Sequence, residues 1–285
     1  MTRNLAVFAA KSVILWVAVL IASIIAAQII AMGDDGVGTD GPLSGPQAFL
    51  IVNYIHAAVL ATVADRSTLR GWRLALLVWT TLFFAQSFLL MMEAAYFRDS
   101  LQISTNLLIE GCLHVLISGA MIGGVAAALW RALPGRALSV PDVRTAPVRL
   151  AMIAGLYVVC YLIAGYYIAW QVSELREYYG FGEDIAFMPL VLFQVLRGAM
   201  WGLLAWFLAA NMSGGVNLRA VVVGMAFSVL ATAQLLYPST IMPWEIRFPH
   251  LVEVGISNFV FGALATRLLF VPLPWRRAEA AREGS

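Results

Sequence analysis

Glu110 and Glu253 sit inside apolar stretches, Leu108-Ile-Glu-Gly-Cys-Leu-His-Val-Leu-Ile-Ser-Gly-Ala120 and Leu251-Val-Glu-Val-Gly-Ile-Ser-Asn-Phe-Val-Phe-Gly-Ala263. A carboxyl group in such surroundings can hold or pass a proton, because burial disfavours its charged form. His114 follows Glu110 by four positions and shares its helix face. Three further sets belong with them. Asn53 and His56 are three apart, Gln194 and Arg197 are three apart, and Gln86 and Glu93 share one stretch. Gln234, Ser257 and Asn258 complete the set.

Arg197 stays charged at any ordinary pH. It could hold an anionic group or neutralise a glutamate. Glu110, by depth, and Glu253, by shared half of the chain, are its expected partners, with Glu93 lying shallower. His56 and His114 could be axial ligands of a haem, or could join Glu93 and Glu110 on a divalent metal. Lone membrane histidines more often serve as hydrogen-bond partners, so no cofactor is assigned. No Gly-x-Ser-x-Gly or His-Glu-x-x-His motif offers an activated nucleophile or a zinc site.

The elements that must position these residues follow from composition. Only 12% of residues are charged, 61% are hydrophobic, and mean hydropathy is +0.84. A soluble domain would be about a quarter charged. The pattern predicts an all-α integral membrane protein. The net charge of +2 and the lack of a basic stripe give no reason to expect nucleic acid. Cys112 and Cys160 both fall in apolar segments and read as lone thiols.

Eight apolar segments are each long enough to span a bilayer core, near 12–32, 47–64, 72–96, 102–130, 148–171, 187–210, 218–237 and 249–271. The first is too long for a signal-peptide core. Arginines concentrate on alternate connections, at Arg66, Arg70, Arg73, Arg131, Arg136, Arg144, Arg149 and Arg219, and at both ends of the chain. The other connections hold only Arg98, Arg176 and Arg247. The positive-inside rule then puts both termini in the cytoplasm of a plasma or inner membrane.

The outer connections are acidic. Residues 33–45, with Asp34, Asp35 and Asp40, read as a solvated linker, since an EF-hand's spacing and closing Glu are absent. Residues 173–184 could form a short interfacial helix. Residues 237–250 could fold back as a lid or anchor at the headgroups, with Trp244 and Phe248 at the boundary. They are also the surface through which a membrane-protein partner could dock.

Glu253 follows Glu110 by 143 positions (253 − 110), and Pro189 follows Pro46 by the same interval. The chain therefore reads as two tandem four-helix repeats, 1–132 and 148–275, with a joint at 133–147 and a tail at 276–285. Four helices per repeat preserve orientation, which implies a pseudo-two-fold axis along the membrane normal. At about 1.5 Å per residue, most of the buried polar groups lie about 10–20 Å below the outer surface. The expected site is one outer pocket formed by Asn53, His56, Glu93, Glu110, His114, Gln194, Arg197, Glu253 and Asn258.

Four functions fit such a pocket. The foremost is binding or transport of a small anionic or protonatable solute. Next is an enzyme acting on a lipid or lipid-linked substrate from the outer side. A haem or metal protein and a structural subunit complete the set.

Overall fold

In the computed structural model, described for residues 4–32, 38–101, 103–131, 143–178 and 187–271, the chain is a helical bundle. Among these residues eight helices are long and apolar enough to cross a membrane. They are α1 (Leu5–Ile29), α2 (Gly45–Arg66), α3 (Gly71–Tyr96), α4 (Thr105–Leu129), α5 (Ala146–Gln171), α6 (Phe187–Ala210), α7 (Val216–Leu236) and α8 (Trp244–Phe270). Large apolar side chains such as Ile24, Leu192 and Ile256 are exposed along them, as a lipid-facing surface requires. Most of the 133–147 joint, the 276–285 tail, residues 33–37 with Asp34 and Asp35, and residues 179–184 of the third outer connection lie outside the described residues.

Start signals are local at several helices. Asn4 caps α1 by accepting from the Ala6 and Val7 backbone. Ser44 and Gln47 form a capping box at α2, with Pro46 in the first turn. Ser104 caps α4. α3 carries a π-helical turn at Phe83–Phe88, a distortion often found where a helix wall serves a site.

Helices α1 to α4 pack among themselves, α4 lying against both α3 and α1. Helices α5 to α8 do the same, α8 lying against both α7 and α5. The two groups meet where α2 packs on α7 and α3 on α6. Close contacts rest on small residues. A Cβ on Gly123 would sit 2.5 Å from the Ala75 carbonyl oxygen, and one on Gly224 would sit 2.7 Å from that of Phe259.

The bundle has two ends. At one, the Gly38 N–H donates to the Pro238 carbonyl and Tyr178 Oη donates to that of Ile241. This is the Asp40 end. At the other, the Thr68 end, Thr68 N–H donates to Asn211 O at 2.8 Å and Ser213 N–H to Arg66 O at 2.7 Å. Arg149 reaches the carbonyls of Leu268 and Val271 at the same end. Lys11 lies over the Trp130 ring there, so the beginning and end of the described chain are on one side.

Candidate functional site

The nine candidate residues do not share one pocket. The structure places seven of them in two cavities near the Asp40 end and leaves Glu110 and Gln194 lining neither.

The first cavity is charged. Helix α3 brings Glu93, α6 brings Arg197, α8 brings His250, Glu253 and Asn258, and α5 brings Tyr157 and Tyr161. Arg197 is 2% exposed and its Nη2 meets Glu93 Oε2 at 2.9 Å. Its Nε and Nη2 both donate to Leu89 O, and Nη1 donates to Gln194 Oε1 at 3.0 Å. Leu89 follows the π-helical turn directly. Four of the five guanidinium donors are thus held by protein groups, which leaves little of Arg197 to seize an anion. Gln194, itself buried, acts as a brace for Arg197 rather than as part of the lining.

The expected partners of Arg197, Glu110 and Glu253, are both displaced by Glu93. The reason is the packing of α3 on α6, which crosses the two helix groups and carries Glu93 to the guanidinium. Glu253 instead meets His250 Nδ1 at 3.1 Å, three residues earlier on the same helix. Glu110 is half-buried and makes no side-chain hydrogen bond or ion pair with another described residue. Helix α4 starts at Thr105, only five residues before it, so Glu110 lies about 8 Å from the helix end rather than deep in the bundle.

The charged cavity is about 50 Å³ in volume, room for about one or two waters. Aromatic packing closes it toward the Thr68 end: Tyr157 meets Phe261 edge-on at 5.0 Å, and Phe227 stacks on Phe261 at 6.3 Å. Toward the Asp40 end, Trp170 and Leu175 roof it. Leu175 belongs to the short helix Ser173–Tyr178, which packs with Phe97, Leu190 and Ile246 into a second apolar cluster. The expected helix in this connection is present.

The second cavity is uncharged and about 500 Å³ in volume. It takes Asn53 and His56 from α2, Gln86 from the π-helical turn, His114 from α4, and Gln234 with Tyr237 from the end of α7. His114 Nε2 meets Ser23 O at 3.1 Å. Asn53 Nδ2 donates to Phe49 O and to Tyr237 Oη. The four residues considered as a joint metal set, His56, His114, Glu93 and Glu110, do not gather here. Glu93 lies in the other cavity, Glu110 in neither, and no group of three or more ligand-type residues gathers among the described residues.

A third arrangement was missed altogether. Asp40 does not sit in a solvated linker. Its Oδ2 accepts the Trp244 N–H at 2.6 Å, its Oδ1 accepts that of Ser239, and Arg247 Nη2 meets Oδ1 at 2.7 Å. Partial desolvation works against its charge, but the bonds from Arg247, Ser239 and Trp244 hold its carboxyl below the usual range. Asp40 is thereby a remote N-cap for α8. This explains why α8 begins at Trp244, before the Pro249 expected to bound it. The rings of Trp244 and Phe248 lie tilted to each other at 5.5 Å, and Phe248 is exposed.

His250 was overlooked for a different reason. The expected segment at 249–271 already holds His250 three residues before Glu253, on one helix face, but His250 was read only as the end of the preceding connection. Tyr157 and Tyr161 gave no signal, because aromatic residues are common in any membrane segment. Comparison with protein-family models, with curated proteins and with solved structures gave no match.

Proposed function

We propose that this is a membrane transporter or solute-binding protein whose charged cavity takes a small protonatable solute, with His250 and Glu253 as the proton-holding pair. The carrying observation is the pairing pattern. Arg197 is neutralised by Glu93 and locked by Leu89 and Gln194, while among the described residues the Glu253 carboxylate's ion-pair contact is with the titratable His250. A carboxyl and an imidazole in contact can share or exchange a proton with a third group in the same void. Trp170 and Leu175 on one side and Tyr157 and Phe261 on the other narrow the site to a small, partly covered void. The anionic alternative is weakened by the committed guanidinium. Among the nine expected site residues, Glu93, Arg197, Glu253 and Asn258 form this site, with Gln194 as brace. Asn53, His56 and His114 are assigned to the second cavity, and Glu110 to neither.

The test uses proteoliposomes holding a pH indicator, given pulses of acid, of ammonium chloride or of sodium formate. Protein-dependent pH changes are expected for acid or ammonium, and Glu253→Gln should remove them. Traces no different from empty liposomes for all three pulses would refute the reading.

The topology belongs to this proposal. Arginine placement supports the Thr68 end as cytoplasmic, with both termini there, and the Asp40 end as outer. Cysteines introduced at Thr39 and Ser139 of a Cys112→Ala, Cys160→Ala background should then label from opposite sides.

So does the tandem duplication into 1–132 and 148–275. It is supported by helix bounds that recur near one interval: Gly45–Arg66 with Phe187–Ala210, Gly71–Tyr96 with Val216–Leu236, and Thr105–Leu129 with Trp244–Phe270. Thr68 and Asn211, bonded to each other, are 143 apart, as a residue and its counterpart on a two-fold axis would be. The cavities correspond as well. His114 lines one where Ser257, at the same interval, lines the other. Each cavity also borrows from the opposite half, Glu93 in one direction and Gln234 with Tyr237 in the other. In this reading one ancestral pocket has become a charged site and an uncharged one.

A further inference from the structure

The uncharged cavity has a feature that packing does not require. His56 is 2% exposed, lines the cavity, and its Nε2 has no hydrogen-bond partner among the described residues. A buried ring nitrogen left unpaired costs about 1–3 kcal/mol, and such groups are rare unless something else satisfies them. Around it stand neutral hydrogen-bonding groups: the amides of Gln86 and Gln234 and the Tyr237 hydroxyl, whose oxygen already accepts from Asn53. Among the described residues, no Asp, Glu, Lys or Arg lines the space. A charged head there would have no counter-charge and would bear the full desolvation cost.

The rest of the wall is mostly apolar, from residues such as Phe49, Val52 and Val115, with neutral Ser23, Gln28, Ser87 and His114 among them. The α1 side of the cavity includes Ile24 and Met32, which are 53% and 38% exposed. The side chains at this mouth are therefore those that meet the bilayer. The volume of about 500 Å³ lies within the usual range for a small-molecule site, roughly 300–1,000 Å³.

We propose that this cavity binds an uncharged, lipid-soluble molecule through an oxygen-bearing head, entering from the bilayer beside α1 and hydrogen-bonding to His56 Nε2. A carbonyl head, as in a quinone, would accept from His56 in its Nε2–H tautomer. A hydroxyl head, as in an isoprenoid alcohol, would donate to the other tautomer. The shared chemistry is a neutral oxygen at the end of an apolar body.

The test is native mass spectrometry of the full chain in mild detergent with three probes of matched chain length: a decyl-substituted benzoquinone, decanol and decanoate. One adduct per chain is expected with the benzoquinone, with decanol or with both, and none with decanoate. Which probe binds distinguishes the carbonyl from the hydroxyl head. His56→Leu and Gln86→Leu should each lower occupancy about five-fold, the loss of one hydrogen bond of about 1 kcal/mol. Glu253→Gln, in the other cavity, should leave occupancy unchanged, which separates this site from the solute site proposed above. The proposal is overturned if decanoate binds as well as the neutral probes, if no neutral probe binds, or if adducts persist in both folded variants. The comparison of the three probes on the native chain needs no variant, so misfolding of a substituted protein would not rescue it.

Discussion

Glu93 on α3 and Arg197 on α6, 104 residues apart, meet at 2.9 Å across the boundary between the two helix groups. Tyr157 and Phe193 each present a ring 5.7 Å from the guanidinium carbon, so the charge is held on several sides. Removing one partner of a buried charge pair costs about 3–5 kcal/mol, because the survivor stays uncompensated. Glu93 is 20% exposed, which favours the lower end of that range for Arg197→Leu. The double variant with Glu93→Leu should unfold closer to the native temperature than Arg197→Leu alone. A thermal melt of the four proteins in detergent measures this, and strict additivity would deny the coupling.

Acid should loosen the Asp40 end. The Asp40 carboxyl is held below its usual value, so its contribution to stability is complete above the ordinary carboxylate range. That contribution falls as pH drops through the lowered value, somewhere below about pH 4. Hydrogen exchange at the backbone of Ser239 and Trp244 should accelerate there, and Asp40→Asn should produce the same acceleration at neutral pH. Exchange that ignores both would remove Asp40 from its capping role.

Two neighbouring glycines should behave differently. Gly123→Ala drives a methyl into the Ala75 carbonyl, an atom that cannot move without moving α3. A loss of about 1–3 kcal/mol is expected, as for an overpacked core. Gly124→Ala meets nothing within 4 Å and should be neutral or slightly stabilising, since alanine favours a helix. Thermal melts of the two variants provide the comparison.

His250 and Glu253 can be tested apart from transport. If the pair shares a proton, His250→Gln should shift the pH at which the Glu253 carboxyl band appears in infrared difference spectra, while Ser257→Ala should not. An unmoved band in His250→Gln would mean that the 3.1 Å contact carries no proton coupling.

The eight membrane-length helices were legible because each announces itself by about 20 apolar residues. The close approach of α4 to α3 rests on Gly119 and Gly123, four residues apart, where an added Cβ would meet Trp79 and the Ala75 carbonyl. Partner choice was not. Depth along a helix can be read only as well as the helix start, which placed Glu110 too deep, and the azimuth of one helix against another cannot be read at all. That is why Arg197 was expected on Glu110 or Glu253 and the polar set was expected in one pocket. The Asp40 cap was hidden for a related reason: the residue that starts α8 lies 204 positions away from Trp244. No local pattern around Trp244 could report it.

The backbone exchange at the Thr68 end, Thr68 with Asn211 and Ser213 with Arg66, ties two connections that lie in different halves of the chain. Its acceptors are main-chain carbonyls and its donors are main-chain N–H groups together with the Thr68 and Ser213 hydroxyls, so recognition there depends on loop shape and on two small side chains. Together with α2 on α7 and α3 on α6, it makes covalent continuity between the halves dispensable for their mutual recognition. Two separately synthesised polypeptides, one ending at 131 and the other beginning at 143, should therefore find each other in the bilayer and co-purify. Such a split protein would allow each cavity to be labelled or altered on its own strand before the two are joined.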